Sequence, residues 1–396
     1  MPLTTINNTQ NAQPNTPAIQ AASQNQPAVP QMMIPFARSS KGHVEQGQTQ
    51  TLPFASWIGG TVQQFQVPTY GYLRSIFFTV TGSGGANSTN TVAGSADAPW
   101  NIFSNVLFTD VNGTPIVNLD GYALYLAMTF GGYRVFRYDQ STFGFSAIAG
   151  GAGSGGTGNF KVKFEIPAEF ATDGLGCLPN MDASAQWRVN LTYNGPATFY
   201  NGASAEPSTN VPNLSAILEG NFRTRPNQTD MYGKPQFTSP PSSGTVQYWT
   251  SQIFNLSAGQ NTLQFTRVGN IIRNHILVFR DTNGSRANAD STGVTPTTIE
   301  FDWDAGIRYK INTDTQRELN YLLYGFDVPA GVIVFPNTSD PRGLAGHEYG
   351  NEWMNTVGST LLKLQFTNSA AGTLQVLTND IVTQGDSIFA APSMGL

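Results

Sequence analysis

The stretch Phe160-Lys161-Val162-Lys163-Phe164-Glu165-Ile166 decides the fold class. Every second residue is large and apolar, and every intervening one is charged. A β-strand sends two such sets to opposite faces, so one side of the segment faces a core and the other faces water. Trp187-Arg188-Val189-Asn190-Leu191-Thr192-Tyr193 repeats the pattern, as do Ile299-Glu300-Phe301-Asp302-Trp303 and Leu362-Lys363-Leu364-Gln365-Phe366. Half-buried strands of this kind build antiparallel sheets packed as sandwiches. The alternation predicts a first core containing Phe160, Val162, Phe164, Trp187, Val189 and Leu191. It predicts a second containing Ile299, Phe301, Trp303, Leu362, Leu364 and Phe366.

The connections agree with an all-β chain. Asn112-Gly113 marks a tight hairpin between Val106-Leu107-Phe108 and Ile116-Val117. Helical signals are few. Thr315-x-x-Glu318 has the form of a capping box ahead of Leu319, Tyr321, Leu322 and Leu323, and Asp120 suits the cap of a short helix from Tyr122 to Met128. Strand and helix do not alternate regularly, which disfavours an α/β fold.

Composition narrows the function. Of 396 residues, 39% are hydrophobic and only 11% charged, with 41 Gly and 24 Pro. Few charges, with polarity carried by Asn, Gln, Ser and Thr, suit a surface covered by neighbours. A net charge of −5 argues against direct nucleic-acid binding, which needs clustered Lys and Arg. The first charged residue is Arg38, so no basic region precedes an apolar stretch, and no run has the length of a membrane span. The chain is therefore expected to be soluble and made in the cytoplasm. The single Cys177 excludes a disulfide within the chain and reads as a small packed thiol. Residues 1–37 carry no charge. They fit either a solvated tail or an arm that orders against neighbouring subunits, with Met32-Met33-Ile34-Pro35-Phe36 as its anchor.

The chain also resembles itself. Gln64-Phe65, Gly71, Arg74 and Ile76 match Gln264-Phe265, Gly269, Arg273 and Ile276 in order. Asp110-Val111-Asn112-Gly113 answers Asp304-Ala305-Gly306, and Tyr125-Leu126 answers Tyr321-Leu322. Phe164-Glu165-Ile166-Pro167 answers Ile333-Val334-Phe335-Pro336, and Leu191-Thr192-Tyr193-Asn194 answers Gln365-Phe366-Thr367-Asn368. Conserved order with shrinking spacing reads as two duplicated β domains. The spacing shrinks mainly because the first half carries the Gly-, Ala- and Ser-rich run 147–158, expected to be an exposed loop. The expected division is an extended arm over 1–49, a first domain over 50–228, a linker over 229–245, a second domain over 246–386 and a tail over 387–396.

Two short passages carry a family resemblance. Thr313-Asp314-Thr315-Gln316-Arg317, followed by Phe326-Asp327-Val328-Pro329-Ala330-Gly331-Val332, is similar to the helix-to-strand passage in the second half of tectivirus coat proteins. Asp120-Gly121-Tyr122-Ala123-Leu124-Tyr125 is similar to the corresponding passage in their first half. With the tandem sandwiches, the chain resembles the double jelly-roll major capsid proteins of the tectivirus and adenovirus lineage. The resemblance implies an all-β fold of two tandem eight-stranded jelly rolls with a few short helices. It further implies a homotrimer forming pseudo-hexagonal capsomers of an icosahedral virion. Its partners would be neighbouring capsomers, penton or vertex proteins and an internal membrane.

The remaining polar residues offer few candidates for chemistry. His43 falls in the arm and His275 in a strand. Gly346-His347-Glu348-Tyr349-Gly350-Asn351-Glu352 pairs carboxylates with His and aromatics, as a glycosidase or sugar-binding site requires, but no nucleophile or oxyanion motif accompanies it. Asp302 and Asp304 offer two oxygen ligands where Ca²⁺ takes six to eight. The expectation is therefore a structural protein and not an enzyme, with no catalytic, cofactor-binding or metal-binding residues and no cofactor. A carbohydrate-binding or glycan-hydrolysing β-sandwich is the alternative.

Overall fold

The computed structural model describes residues 32–53, 56–83, 86–87, 95–131, 156–157, 160–170, 173–199, 213–241, 244–288, 293–304, 306–337 and 353–382. The first half contains strands β1 (Gly42–Leu52), β2 (Val62–Gln66), β3 (Tyr72–Ser83), β4 (Phe103–Thr109) and β5 (Pro115–Leu119). Helix α1 (Gly121–Phe130) follows, then β6 (Phe160–Pro167), β7 (Arg188–Tyr193) and β8 (Asn213–Arg223). The second half repeats this succession with β9 (Val246–Leu256), β10 (Gly259–Gln264), β11 (Ile271–Asp281), β12 (Thr298–Trp303) and β13 (Gly306–Asn312). Helix α2 (Thr313–Tyr324) comes next, then β14 (Val332–Pro336), β15 (Leu362–Asn368) and β16 (Gly372–Val382).

Among the described residues, the eight long strands of each half form two four-stranded sheets. The first has the orders β1-β8-β3-β6 and β2-β7-β4-β5, and the second has β9-β16-β11-β14 and β10-β15-β12-β13. The orders are position-for-position the same, and each pair of sheets forms a jelly roll. The alternation read from sequence becomes burial. Phe160, Val162, Phe164, Trp187, Val189 and Leu191 sit in the first core, while Lys161 is exposed and Lys163 and Glu165 are half-buried on the opposite face. Ile299, Phe301, Leu362, Leu364 and Phe366 fill the second core, with Trp303 packed at its margin.

Local expectations hold at one helix and shift at the other. The Asp120 side chain caps α1 by accepting from Ala123 N at 2.8 Å. Asp110 Oδ1 accepts from Asn112 N and Thr114 N, closing the β4–β5 turn around Gly113 at φ +86°. The cap of α2 is Asn312 and not Thr315: its side chain accepts from Asp314 N, and Thr313 is buried as the first helical residue. Its hydroxyl donates to Pro296 O, so tertiary contact starts the helix ahead of the sequence signal.

The internal matches fall on equivalent elements. Phe65 lies on β2 and Phe265 directly follows β10; Pro167 and Pro336 end β6 and β14, facing Ser75 and Asn274. Register is less faithful. Leu191 is buried whereas its match Gln365 is on the outer face, so that alignment is slipped by one residue. Leu126 is buried and its match Leu322 is 76% exposed. The first roll opens at Gly42, inside the range expected for the arm. Sequence alternation is hidden there because β1 is an edge strand on which only Leu52 is fully buried. Of the run 147–158, only Gly156–Thr157 lies among the described residues, paired with Ala86–Asn87.

The rolls are fused. Val117 and Asn118 of β5 pair in parallel with Trp249 and Thr250 of β9, so one sheet runs from β14 through β9 and β5 to β2. Helix α1 lies in this seam, buried on nearly every side, in one apolar cluster with Ile276, Val278, Val332, Val334 and Leu377 of the second roll. The second roll also serves the helix end. Phe130 O accepts from Asn274 Nδ2 at 2.9 Å and from the Tyr324 hydroxyl at 3.0 Å, and Gly131 O accepts from Arg273. A Cβ on Gly131 would overlap the Trp249 indole and stand 2.8 Å from Ala127 O. Gly131→Ala is accordingly expected to destabilise the protein by about 1 to 3 kcal/mol, the usual range for overpacking. Denaturant unfolding monitored by tryptophan fluorescence measures this; an unchanged midpoint would show that the seam is loosely packed.

Candidate functional site

The structure disperses the residues with acid–base potential. His43 lies on the edge strand β1, stacked on Tyr70 at 4.0 Å and 3.5 Å from Glu45. His275 is fully buried, 5.4 Å from the Phe265 ring and 5.3 Å from Phe301, and neither ring nitrogen has a hydrogen-bond partner among the described residues. Burial, with a smaller contribution from Arg308, lowers its pKa to about 3. It is a neutral aromatic filler on the inner face of β11. His347, Glu348 and Glu352 lie outside the described residues. Cys177 is buried beside Phe36 and Tyr72, and desolvation, reinforced by Glu169, raises its thiol well above the ordinary range.

Asp302 and Asp304 do not converge on a shared point. Asp302 Oδ2 accepts from Gln365 Nε2 at 2.5 Å and lies 3.3 Å from Lys363 Nζ. Asp304 Oδ1 instead accepts from Thr360 N and Leu361 N, which pins the turn before β15 and lowers its pKa. Among the described residues no three His, Cys, Asp or Glu side chains group as metal ligands. A groove of about 320 Å³ on the second roll is lined by Gln260, Thr298, Glu300, Lys310 and Gln365, among others. Its single carboxylate, Glu300, is tied to Lys310 at 2.8 Å, whereas glycan hydrolysis uses a pair of carboxylates.

Sequence reading did not find the charges that join elements. Glu169, wholly buried after β6, accepts from Arg74 of β3 at 2.5 Å and from Arg223 of β8 at 2.8 Å. Asp380 of β16 is likewise buried; desolvation raises its pKa and Arg267 opposes that shift. Asp97 of the first roll holds Arg280 at 2.5 Å and Arg286 at 2.8 Å, both from the second roll, with Arg286 also over the Tyr122 ring at 4.4 Å. None of these carboxylates falls in a periodic pattern, so only the fold brings their partners together.

The exposed apolar residues form the remaining candidate surface. Leu319, Tyr321 and Leu322 project from α2, Ile307 from β13 and Val44 from β1. Met32 and Met33 are also exposed, but the expected anchor is used within the chain. Phe36 is buried edge-on against Tyr72, and Ile34 bridges to Gln236, with Phe237 N donating to Ile34 O at 3.0 Å. This corrects the expectation that Ile34 and Phe36 await a neighbouring subunit. The Tyr72 ring and the linker segment already supply the contact.

Two stacked jelly rolls in one chain, with unlike sheets of the two joined edge to edge, define the double jelly-roll fold. Solved structures of viral coat proteins share it. A chain of the Sulfolobus Turreted Icosahedral Virus structure is 14% identical at a TM-score of 0.60, covering 87% of this chain and 91% of its own. The Faustovirus major capsid protein is 9% identical at 0.56, covering 92% and 93%. The major capsid protein of bacteriophage PM2 is 9% identical at 0.53, covering 87% and 98%. No protein-family model and no curated protein matches the sequence.

The buried His275 has a measurable consequence. Its folded pKa of about 3 lies below the ordinary unfolded value near 6.5, so the folded state binds fewer protons. The stability associated with the neutral ring is complete above pH ~6.5 and falls as the pH drops, by at most about 1.4 kcal/mol per pH unit, until about pH 3. His275→Phe keeps a ring beside Phe265 and Phe301 and removes the titration. Denaturant midpoints measured from pH 7 to 4 should decline less steeply for the variant; parallel declines would show that His275 is not the titrating group.

Proposed function

We propose that this chain is a viral major capsid protein, a structural subunit and not an enzyme. The observation that carries the reading is the fused pair of eight-stranded rolls, shared over most of both chains with the coat proteins above. Physical features support it. A shell of identical subunits brings like surfaces together many times, and a chain with 11% charged residues limits the repulsion that this creates. Closed sandwiches also leave few strand edges to manage.

In the finer form of the reading, three chains make a pseudo-hexagonal capsomer from six rolls. Capsomers tile an icosahedral virion over an internal membrane, with penton or vertex proteins as further partners. The Asp120–Tyr125 and Thr313–Val332 passages favour a tectivirus-like phage. We take the two rolls as duplicated domains joined through the linker 229–245. Residues 1–31 serve as an uncharged arm between capsomers, and the segment 387–396 is a tail. Synthesis takes place in the host cytoplasm and the protein's final location is the virion.

Light scattering and negative-stain microscopy of the full-length protein test this reading. Trimers with hexagonal outlines are expected, without glycan-hydrolysing activity. A variant beginning at Met32 keeps the Ile34 and Phe36 contacts; it should still form trimers but lose shell assembly. A protein that stays monomeric at high concentration and cleaves or binds glycans would replace the capsid reading with the carbohydrate-active one.

A further inference from the structure

The large sheets are not all held in place to the same degree. Two of them are one continuous sheet, in which β14-β11-β16-β9 of the second roll runs into β5-β4-β7-β2 of the first. The β1-β8-β3-β6 sheet closes on the larger core, which also contains α1 and the seam. The β10-β15-β12-β13 sheet pairs with no strand of another sheet among the described residues. Its inner face rests on the separate second core, where Phe301, Leu364 and Phe366 meet Leu277, Phe279 and Phe335 of the facing sheet.

His275 sits in that second core. Strand β11 turns it toward the unfused sheet, against Phe265, which directly follows β10, and Phe301 of β12. Its neighbours on its own sheet are Phe335 of β14 and Thr378 of β16, neither of which titrates. The charge that acts on the ring is the Arg308 cation of β13, whose own buried Nε has no partner among the described residues. Tyr309 of the same strand packs at the margin of the core. The carboxylates of β12 point to the other face of the sheet, Glu300 held by Lys310 and Asp302 by Lys363. An imidazolium formed at His275 therefore has a cation for a neighbour and no acceptor for either N–H among the described residues.

The first roll shows what this position needs for folding alone. Pro167 and Pro336 face Ser75 and Asn274, so the next pairs, Ile76 with Ile166 and His275 with Phe335, are equivalent. Ile76 is buried in the first core. An aliphatic side chain thus suffices at this place in the fold, and the imidazole adds the capacity to take up a proton. We infer that His275 is an acid-sensitive latch: its protonation releases the β10-β15-β12-β13 sheet from the second core while the seam and the first roll stay closed. The opening is local because the ring lies between two sheets and meets water once the unfused one lifts. On the capsid reading, acid softens every subunit of a shell at the same sheet; the latch itself does not depend on that reading.

Hydrogen–deuterium exchange of the full-length protein at pH 7 and pH 5, corrected for the intrinsic pH dependence of exchange, tests the latch. Ordinary carboxylates, with values near 4, keep most of their charge over this range. A histidine that is neutral while enclosed and titrates near 6.5 once exposed favours the open state by up to about 25-fold more at pH 5. Protection of the β10, β12, β13 and β15 amides should fall by up to that factor, with β4, β5 and α1 unchanged. His275→Phe and His275→Ile should each keep the protection of these strands level with pH. Asp380, which holds Arg267 in the same roll, is retained in both variants and serves as the internal control. A fall that persists in both variants overturns the latch and assigns the opening to another group, such as Asp380. A wild-type protein that loses protection equally in both rolls, or loses none, overturns it as well. Each outcome is read on the free subunit, so it stands apart from whether the chain forms capsomers.

Discussion

The burial of α1 between two rolls is the contact on which the rest of the architecture depends. A sandwich normally hides one face of each sheet and leaves the other to water. Here the outer face of the β9-β16-β11-β14 sheet is apolar because it has a helix to cover, and α1 is apolar on nearly every side because it lies between two sheets. The requirement extends to single atoms. Gly131 lacks a Cβ because the Trp249 indole fills that space, and Asn274 and Tyr324 complete hydrogen bonds that the helix end cannot make alone. The parallel pairing of β5 with β9 fixes the height at which the rolls meet.

Charge is used sparingly, mostly where elements must be tied together. Glu169 closes the end of the first roll by joining β3 and β8, and Asp97 clamps two arginines of the second roll beside Tyr122. These carboxylates are specific because they are enclosed: an ion pair removed from water tolerates few alternative arrangements, whereas exposed pairs contribute little. The matched arginines Arg74 and Arg273 show how equivalent positions in the two rolls differ in use. The first serves Glu169 within its own roll, and the second reaches across the seam to the carbonyl of Gly131. The second roll gained a neighbour along the chain; the first roll's equivalent face did not.

Much of the fold is legible in the sequence. Alternation at Phe160–Ile166 and Leu362–Phe366 fixes which side chains face inward, because a strand has a strict period of two and a core accepts only one of its faces. The Asp120 cap and the Asn112-Gly113 turn are similarly local, decided by residues within a few positions of one another. Signals failed where neighbours distant in sequence intervene. Asn312 caps α2 ahead of Thr315 because Thr313 has a buried partner in Pro296. The edge strand β1 shows little alternation because neither of its faces is buried along most of its length, only Leu52 being fully enclosed.

The sequence by itself determined the all-β class, the repeated order of elements, the inward-facing residues and the scarcity of charge. Those properties reside in local periodicity and composition. The tertiary structure alone decided that Leu126 is enclosed while Leu322 is exposed, that Ile34 and Phe36 are held by their own chain, and that the rolls share one sheet. Leucine has the same propensity and hydropathy in both helices. Whether it is covered depends on what lies across from it, and that is set by contacts between residues more than a hundred positions apart.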